Sequence, residues 1–182
     1  MAVSPATYER LALEDPDSKW ELVCGRVRRK PPMTTEHNEV ETELAYILRS
    51  QLNPAEYRVR SDSGRVRKHA TYYIPDVFVA PTAAVQSFLG TGSLEVFETA
   101  LPLVVEVWSK STGEYDVDEK LAEYQRRGDL EIWRIHPYEK TLTSWVRTPN
   151  GTYTETLHRA GTVTCAALPG VIVDLATLFA LV

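Results

Sequence analysis

A carboxylate inside an apolar strand must be paired, protonated or bound to a cation, because burying a lone charge costs several kcal/mol or more. Glu106 stands in such a run, Leu103-Val104-Val105-Glu106-Val107-Trp108. Strand alternation puts Leu103, Val105 and Val107 on one face and Val104, Glu106 and Trp108 on the other. Both faces are otherwise apolar, the pattern of a central strand covered on both sides. The ordinary alternative is a strand-end glutamate whose head escapes to solvent. Asp76 repeats the pattern in Tyr73-Ile74-Pro75-Asp76-Val77-Phe78-Val79. Pro75 has no N–H to donate, so strand pairing is interrupted beside the acid and leaves room for a ligand or ion. A turn aspartate leading into a strand is the competing reading. Two such acids on two strands suit a hard divalent cation, Mg²⁺ or Mn²⁺, which prefers oxygen ligands.

A third residue adds a positive charge. On a wheel of about 100° per residue with Val117 at zero, Leu121 falls near 40°, Tyr124 near 340° and Lys120 near 300°. Lys120 therefore borders the buried stripe, while Glu119 and Glu123 turn away. It either snorkels outward along its apolar stem or holds a cation over the strand ends that carry Asp76 and Glu106. Two further residues are candidates for supporting roles. Glu21 lies in a short strand and is either exposed or part of the same site. His37 is about 60° from Val40 on the apolar side of a helix's first turn, as a hydrogen-bonded core histidine or as a ligand.

The elements that must position these residues are legible in outline. A strand is expected over 20–27, broken by Pro31 and Pro32. Thr34 or Thr35 offers an N-cap, and Val40, Leu44, Ile47 and Leu48 mark the apolar stripe of a helix over 36–52, ended by Pro54. A hairpin follows over 56–68 with its turn near Gly64, then a strand over 72–80. Residues 81–101 read as a variable excursion. After the 103–108 strand, a helix over 115–127 is closed by Gly128, which suits a left-handed C-cap. Strands over 131–135, 141–146 and 153–157 complete the order, the last two joined through Pro149-Asn150-Gly151. The expectation is one α/β domain over 1–182, a mixed central sheet flanked by helices.

Composition limits the function classes. The chain has 182 residues, 43% hydrophobic and 25% charged, which excludes disordered, collagen-like and coiled-coil chains. No apolar run approaches the ~18 residues of a membrane span, and residues 1–20 lack the basic-then-apolar order of a signal peptide. Cys24 and Cys165 cannot build a disulfide framework, so the expected location is the cytoplasm. Phosphate loops, nucleophile elbows, Cys-x-x-Cys pairs and closely spaced histidines are all missing, which argues against hydrolase triads and structural zinc. The net charge of −5 is unevenly spread: −3 over 1–18, +4 over 19–70 and −6 over 71–182. Arg28 belongs to the basic stretch, as do Arg58 and Arg60, which share one face of a strand. Such a face either tracks phosphates or guards an edge strand against aggregation.

The ordered set of motifs resembles the Uma-type endonuclease family of the PD-(D/E)XK nuclease superfamily. Its pieces are Trp20-Glu21-Leu22-Val23-Cys24-Gly25-Arg26-Val27, Thr35-Glu36-His37, Ile74-Pro75-Asp76-Val77 and 101–112 around Glu106. Asp116, Lys120, Leu121, Tyr124, Glu131-Ile132-Trp133-Arg134-Ile135 and Leu168-Pro169-Gly170 follow. The superfamily's lysine two residues after the acid is Trp108 here. In the Uma-type pattern that lysine has moved to the next helix, matching Lys120. Lys110 stands where the family usually has proline and receives no role.

The resemblance implies a restriction-endonuclease-like core with extra N- and C-terminal strands and metal-dependent hydrolysis of DNA. Asp76, Glu106 and the Val107 backbone carbonyl would hold Mg²⁺ or Mn²⁺. Lys120 would orient the attacking water, with Glu21 and His37 in support and Arg28, Arg58 and Arg60 on phosphates. No membrane partner is expected. Cutting two strands suggests a homodimer. The rival reading is a catalytically inactive nucleic-acid- or protein-binding module on the same fold.

Overall fold

A computed structural model describes residues 2–110 and 113–182, with side chains in the second stretch from Asp118 onward. The motif residues Ser111 and Thr112, and the side chains of Asp116 and Val117, lie outside the described residues. Helix α1 (Pro5–Glu14) starts at an N-cap, Ser4, which accepts from the Thr7 N–H, with Pro5 in the first turn. The sequence reading assigned no element to this segment, and the extra N-terminal strands that it expected follow the helix. The strand expected over 20–27 is a hairpin of β1 (Trp20–Val23) and β2 (Arg26–Arg29). Cys24 and Gly25 both have positive φ at its turn, which sets a tight two-residue connection.

Helix α2 (Thr35–Gln51) is capped by Thr34, which accepts from the His37 N–H. Strands β3 (Tyr57–Ser61), β4 (Arg65–Lys68), β5 (Thr71–Tyr73) and β6 (Val77–Pro81) follow. The excursion over 81–101 holds a short helix, α3 (Thr82–Gln86), and β7 (Val96–Phe97). Beyond it come β8 (Leu103–Val107), α4 (Gly113–Arg127) and β9 (Glu131–His136). Strands β10 (Thr141–Arg147), β11 (Tyr153–His158), β12 (Thr162–Thr164) and β13 (Ile172–Asp174) lead to α5 (Leu175–Leu178). The C-terminal strands match the expected additions.

Two sheets organise the chain. The larger runs β11-β10-β9-β8-β6-β3 and the smaller β2-β1-β5-β4-β7, with β12-β13 as a separate ribbon. In the larger sheet only β8 and β9 are parallel, joined by the α4 crossover. Strand β8 has a neighbour on each side, and all five of its residues are buried. Its alternation is the one expected from sequence. Leu103, Val105 and Val107 pack with Val40, Leu44 and Leu48 of α2, while Val104 packs with Phe78, Ile132 and Tyr124 of α4. Glu106 shares a strand face with Val104, so α4 is the element that can reach it.

The chain passes from the smaller sheet to the larger between β5 and β6, through Ile74, Pro75 and Asp76. Asp76 thus lies in a bend just before β6 rather than within the strand. The pairing Val77↔Val105 and Phe78↔Val104, continued by one residue, sets Asp76 opposite Glu106. The crossing is anchored by two hydrogen bonds: the Asp62 N–H donates to the Asp76 carbonyl at 2.8 Å, and the Ile74 N–H donates to Glu21 Oε1 at 3.0 Å.

Candidate active site

The polar residues singled out in the sequence gather where the two sheets meet. Lys120 is 2% exposed, and its Nζ lies 3.2 Å from Glu106 Oε2 and 3.2 Å from Glu21 Oε1. It does not snorkel outward, because α4 lies across the face of β8 that carries Glu106. Tyr124, one turn on, donates its hydroxyl proton to Glu106 Oε1 at 2.5 Å. Glu21 is 1% exposed, which removes the reading of a solvent-facing strand residue. Beyond Lys120 and the Ile74 N–H, it accepts from Arg28 Nε at 3.2 Å. Glu123, expected to turn away from the core, is buried and paired with Arg126.

Asp76 is held from three directions. Its Oδ2 accepts from the Val107 N–H at 2.6 Å and lies 3.1 Å from His37 Nε2. Its Oδ1 accepts from Lys30 Nζ at 2.6 Å. The same ammonium donates to Asp62 Oδ1 at 2.7 Å, and Lys19 pairs with the other oxygen of Asp62. His37 is buried, and its second ring nitrogen, Nδ1, faces Glu41 Oε2 at 3.6 Å.

Lys30, Glu41 and Asp62 are the members that sequence reasoning missed. Glu41 had a usable signal: it stands one helical turn after His37, on the same face. Lys30 and Asp62 had none, since each meets Asp76 across the fold.

The two central acids differ in electrostatics. Burial pushes the Asp76 carboxyl up, but Lys30, the His37 hydrogen bond and the charges behind them hold it far below the usual carboxylate range. Burial raises Glu106 to about 7, with Asp76 reinforcing and Lys120 opposing. Paired acids whose environments drive them apart in this way are a mark of functional sites. Glu21 stays below its usual value, since burial is outweighed by Lys120 and the Ile74 N–H.

The Glu106 shift sets a pH dependence of stability. An acid whose folded value stands above its unfolded value of 4.5 lets the unfolded state release its proton first. Stability then falls as pH rises from 4.5 to about 7 and levels off beyond. In metal-free buffer, urea denaturation of wild type is expected to lose on the order of 1–3 kcal/mol across that window relative to Glu106→Gln. A constant difference between the two proteins at pH 5 and pH 7.5 contradicts it.

The arginines are less uniform. Arg60 lies on the edge strand β3 and is clasped by both oxygens of Glu95, while Arg28 bridges Glu21 and Glu119. Arg58 is exposed and has no ion pair among the described residues. Trp108, in the place of the superfamily lysine, stacks on His136 with ring centroids 4.4 Å apart.

A family model described as "Uma2: Putative restriction endonuclease" matches residues 5–176. Among solved structures, a "putative nuclease belonging to DUF820" from Anabaena variabilis superposes with a TM-score of 0.75 at 16% identity, over 88% of this chain and 89% of that one. At that identity the likeness establishes the fold: the mixed sheet flanked by helices is restriction-endonuclease-like. No curated protein matches the chain.

Proposed function

The chain belongs to the Uma2 family of restriction-endonuclease-like proteins, and from that premise we propose that it is a Mg²⁺- or Mn²⁺-dependent endonuclease cleaving DNA. The observation that carries the reading is the buried convergence of Asp76, Glu106 and Lys120 where the two sheets meet. The donor set fits a hard divalent ion: carboxylate oxygens of Asp76 and Glu106 opposite one another, with the Val107 carbonyl adjacent. The raised Glu106 points the same way, since a cation relieves the repulsion from Asp76 that contributes to that shift. When bound, such an ion polarises a phosphoryl oxygen and acidifies a water.

The chain's own groups do the rest. Lys120 holds a proton-rich ammonium beside Glu106, where it orients a water and offsets charge developing on the phosphate. Glu21 fixes that ammonium from the other side, and Tyr124 fixes the second Glu106 oxygen. Lys30 and His37 keep Asp76 ionised. The exposed Arg58 offers a basic group to a phosphate backbone, whereas the cavity of about 610 Å³ lined by Lys19, Arg29 and Lys30 is also lined by Asp15, Asp17 and Asp62. Cytoplasmic location and a homodimer acting on both strands belong to the same proposal, as does a single domain over 1–182. Among the described residues no helix is long and apolar enough to cross a membrane.

The test is cleavage of plasmid, linear and single-stranded DNA, and of RNA, with Mn²⁺, Mg²⁺ or EDTA. DNA cleavage that needs the ion is expected. Lys120→Ala should lower the rate by about 10²–10³-fold, the range for removing one preorganised charge-stabilising group. Folded wild-type protein that cuts no DNA with either ion, or a Lys120→Ala protein as active as wild type, overturns the proposal.

A further inference from the structure

We propose that a groove beside Glu106 holds an unpaired, amino-bearing nucleobase of the substrate strand, stacked on Trp108 and His136; the inference rests on the nuclease reading above. The groove, of about 390 Å³, lies on the face of the larger sheet that carries Glu106. Glu106 pairs with Arg134 across β8 and β9, and one step on Trp108 stands opposite His136. The Trp108 N–H, donating to the Ile135 carbonyl at 2.8 Å, continues that ladder. Arg134 and His136 in turn pair with Thr143 and Thr141 of β10. These side chains therefore share one face, and all but Glu106 line the groove. Trp108 is the next side chain after Glu106 on that face, about 7 Å along the strand. The groove thus lies within reach of the base whose phosphate would sit at Asp76 and Glu106.

Its lining suits a base. Trp108 and His136 form a flat stack, with ring centroids 4.4 Å apart and planes 19° from parallel. A further ring can extend it, the usual way of holding an unstacked base. Thr141 and Thr143 are 5% and 8% exposed, and their hydroxyls make no hydrogen bond among the described residues. Buried hydroxyls are ordinarily bonded, so the polar edge of a ligand completes them. His136 Nδ1 accepts from the Glu139 N–H at 3.1 Å, which leaves Nε2 of the neutral ring as a donor. Glu139 Oε1, at 3.9 Å, lies beyond hydrogen-bond reach of it.

Charge selects which part of a nucleotide enters. Asp118, Glu139 and Glu155 line the groove against one guanidinium, Arg134, which is itself paired with Asp118. Such a lining repels phosphate and accepts from amino groups, as carboxylates do from cytosine N4. The phosphate stays at the ion and the base enters. A base inside a duplex is stacked and paired, so the one that enters is single-stranded or turned out of the helix.

The probes are dye-labelled single strands of deoxycytidine and of thymidine, about twelve nucleotides long. Their binding to the full chain is read by fluorescence anisotropy in EDTA, where no ion-dependent cleavage intervenes. Both carry the same phosphate charge, so any difference between them belongs to the base. The deoxycytidine strand should bind about tenfold more tightly. Trp108→Leu should weaken its binding by about 5- to 150-fold. Thr143→Val, which exchanges a hydroxyl for a methyl group, should reduce the preference while leaving the circular dichroism spectrum unchanged. Equal binding of the two strands by wild type, or a folded Trp108→Leu protein that matches wild type, overturns the inference. Where Trp108→Leu does not fold, an unchanged preference in Thr143→Val overturns it. Cleavage with Mn²⁺ separates this inference from the nuclease reading. A protein that cuts DNA but binds both strands equally loses the groove alone. One that shows the Trp108-dependent preference and cuts nothing loses the nuclease reading alone.

Discussion

Asp76→Asn is expected to abolish ion-dependent DNA cleavage, lowering the rate by about 10³-fold or more. The substitution keeps the shape of the side chain and removes its charge. Val107, His37 and Lys30 all converge on this one carboxylate, and the pairing register sets it opposite Glu106. A metal-bound phosphoryl group gains several kcal/mol of transition-state charge stabilisation, and each 1.36 kcal/mol is tenfold in rate. Losing about 4 kcal/mol therefore gives the stated factor. The measurement is the initial rate of plasmid nicking with Mn²⁺, on protein shown to be folded by circular dichroism. A rate within tenfold of wild type rules out Asp76 as an ion ligand.

The second large effect falls on stability. Arg127, the last residue of α4, and Asp129 have fully buried side chains and pair at 3.0 Å. The guanidinium also donates to the carbonyls of Arg67, Phe97 and Thr99, and Asp129 accepts from the Leu101 N–H. One side chain thereby ties α4 to β4, β7 and the segment leading into β8. Breaking a buried pair from one side costs about 3–5 kcal/mol, because the remaining charge is left uncompensated. Arg127→Ala should lose that much in urea denaturation, a fall in melting temperature of roughly 6–20 °C for a chain of this length. A loss below about 1 kcal/mol contradicts the account.

How much of this was legible in the sequence varied with range. Glu106 was, because an apolar strand on both faces leaves a carboxylate nowhere to go. Lys120 was, because a helical wheel needs only local periodicity and α4 is regular. The N-cap and first-turn proline of α1, Ser4 and Pro5, were present as local signals and went unread. Glu21 could be read either way: its burial comes from packing of the smaller sheet beside α4, set by partners about a hundred residues away. Lys30 and Asp62 escaped for the same reason. Each is an ordinary charged residue at the end of a strand until the passage from β5 to β6 delivers Asp76 to the ammonium of Lys30, which bridges it to Asp62. Arg60 was read as a phosphate-tracking or edge-guarding arginine, and Glu95, which clasps it, arrives from the excursion that periodicity could not resolve.

That excursion has a consequence for variation. Strands β6 and β8 are antiparallel neighbours paired from Val77↔Val105 to Val79↔Leu103, so everything between them is topologically one enlarged hairpin loop. Its length does not enter the register that sets Asp76 opposite Glu106. Insertions, deletions or exchanged segments around the exposed Leu89, Gly90 and Gly92 can therefore be grafted without retuning the acids. The fold thus separates the register of the two acids from the length of this segment's exposed tip.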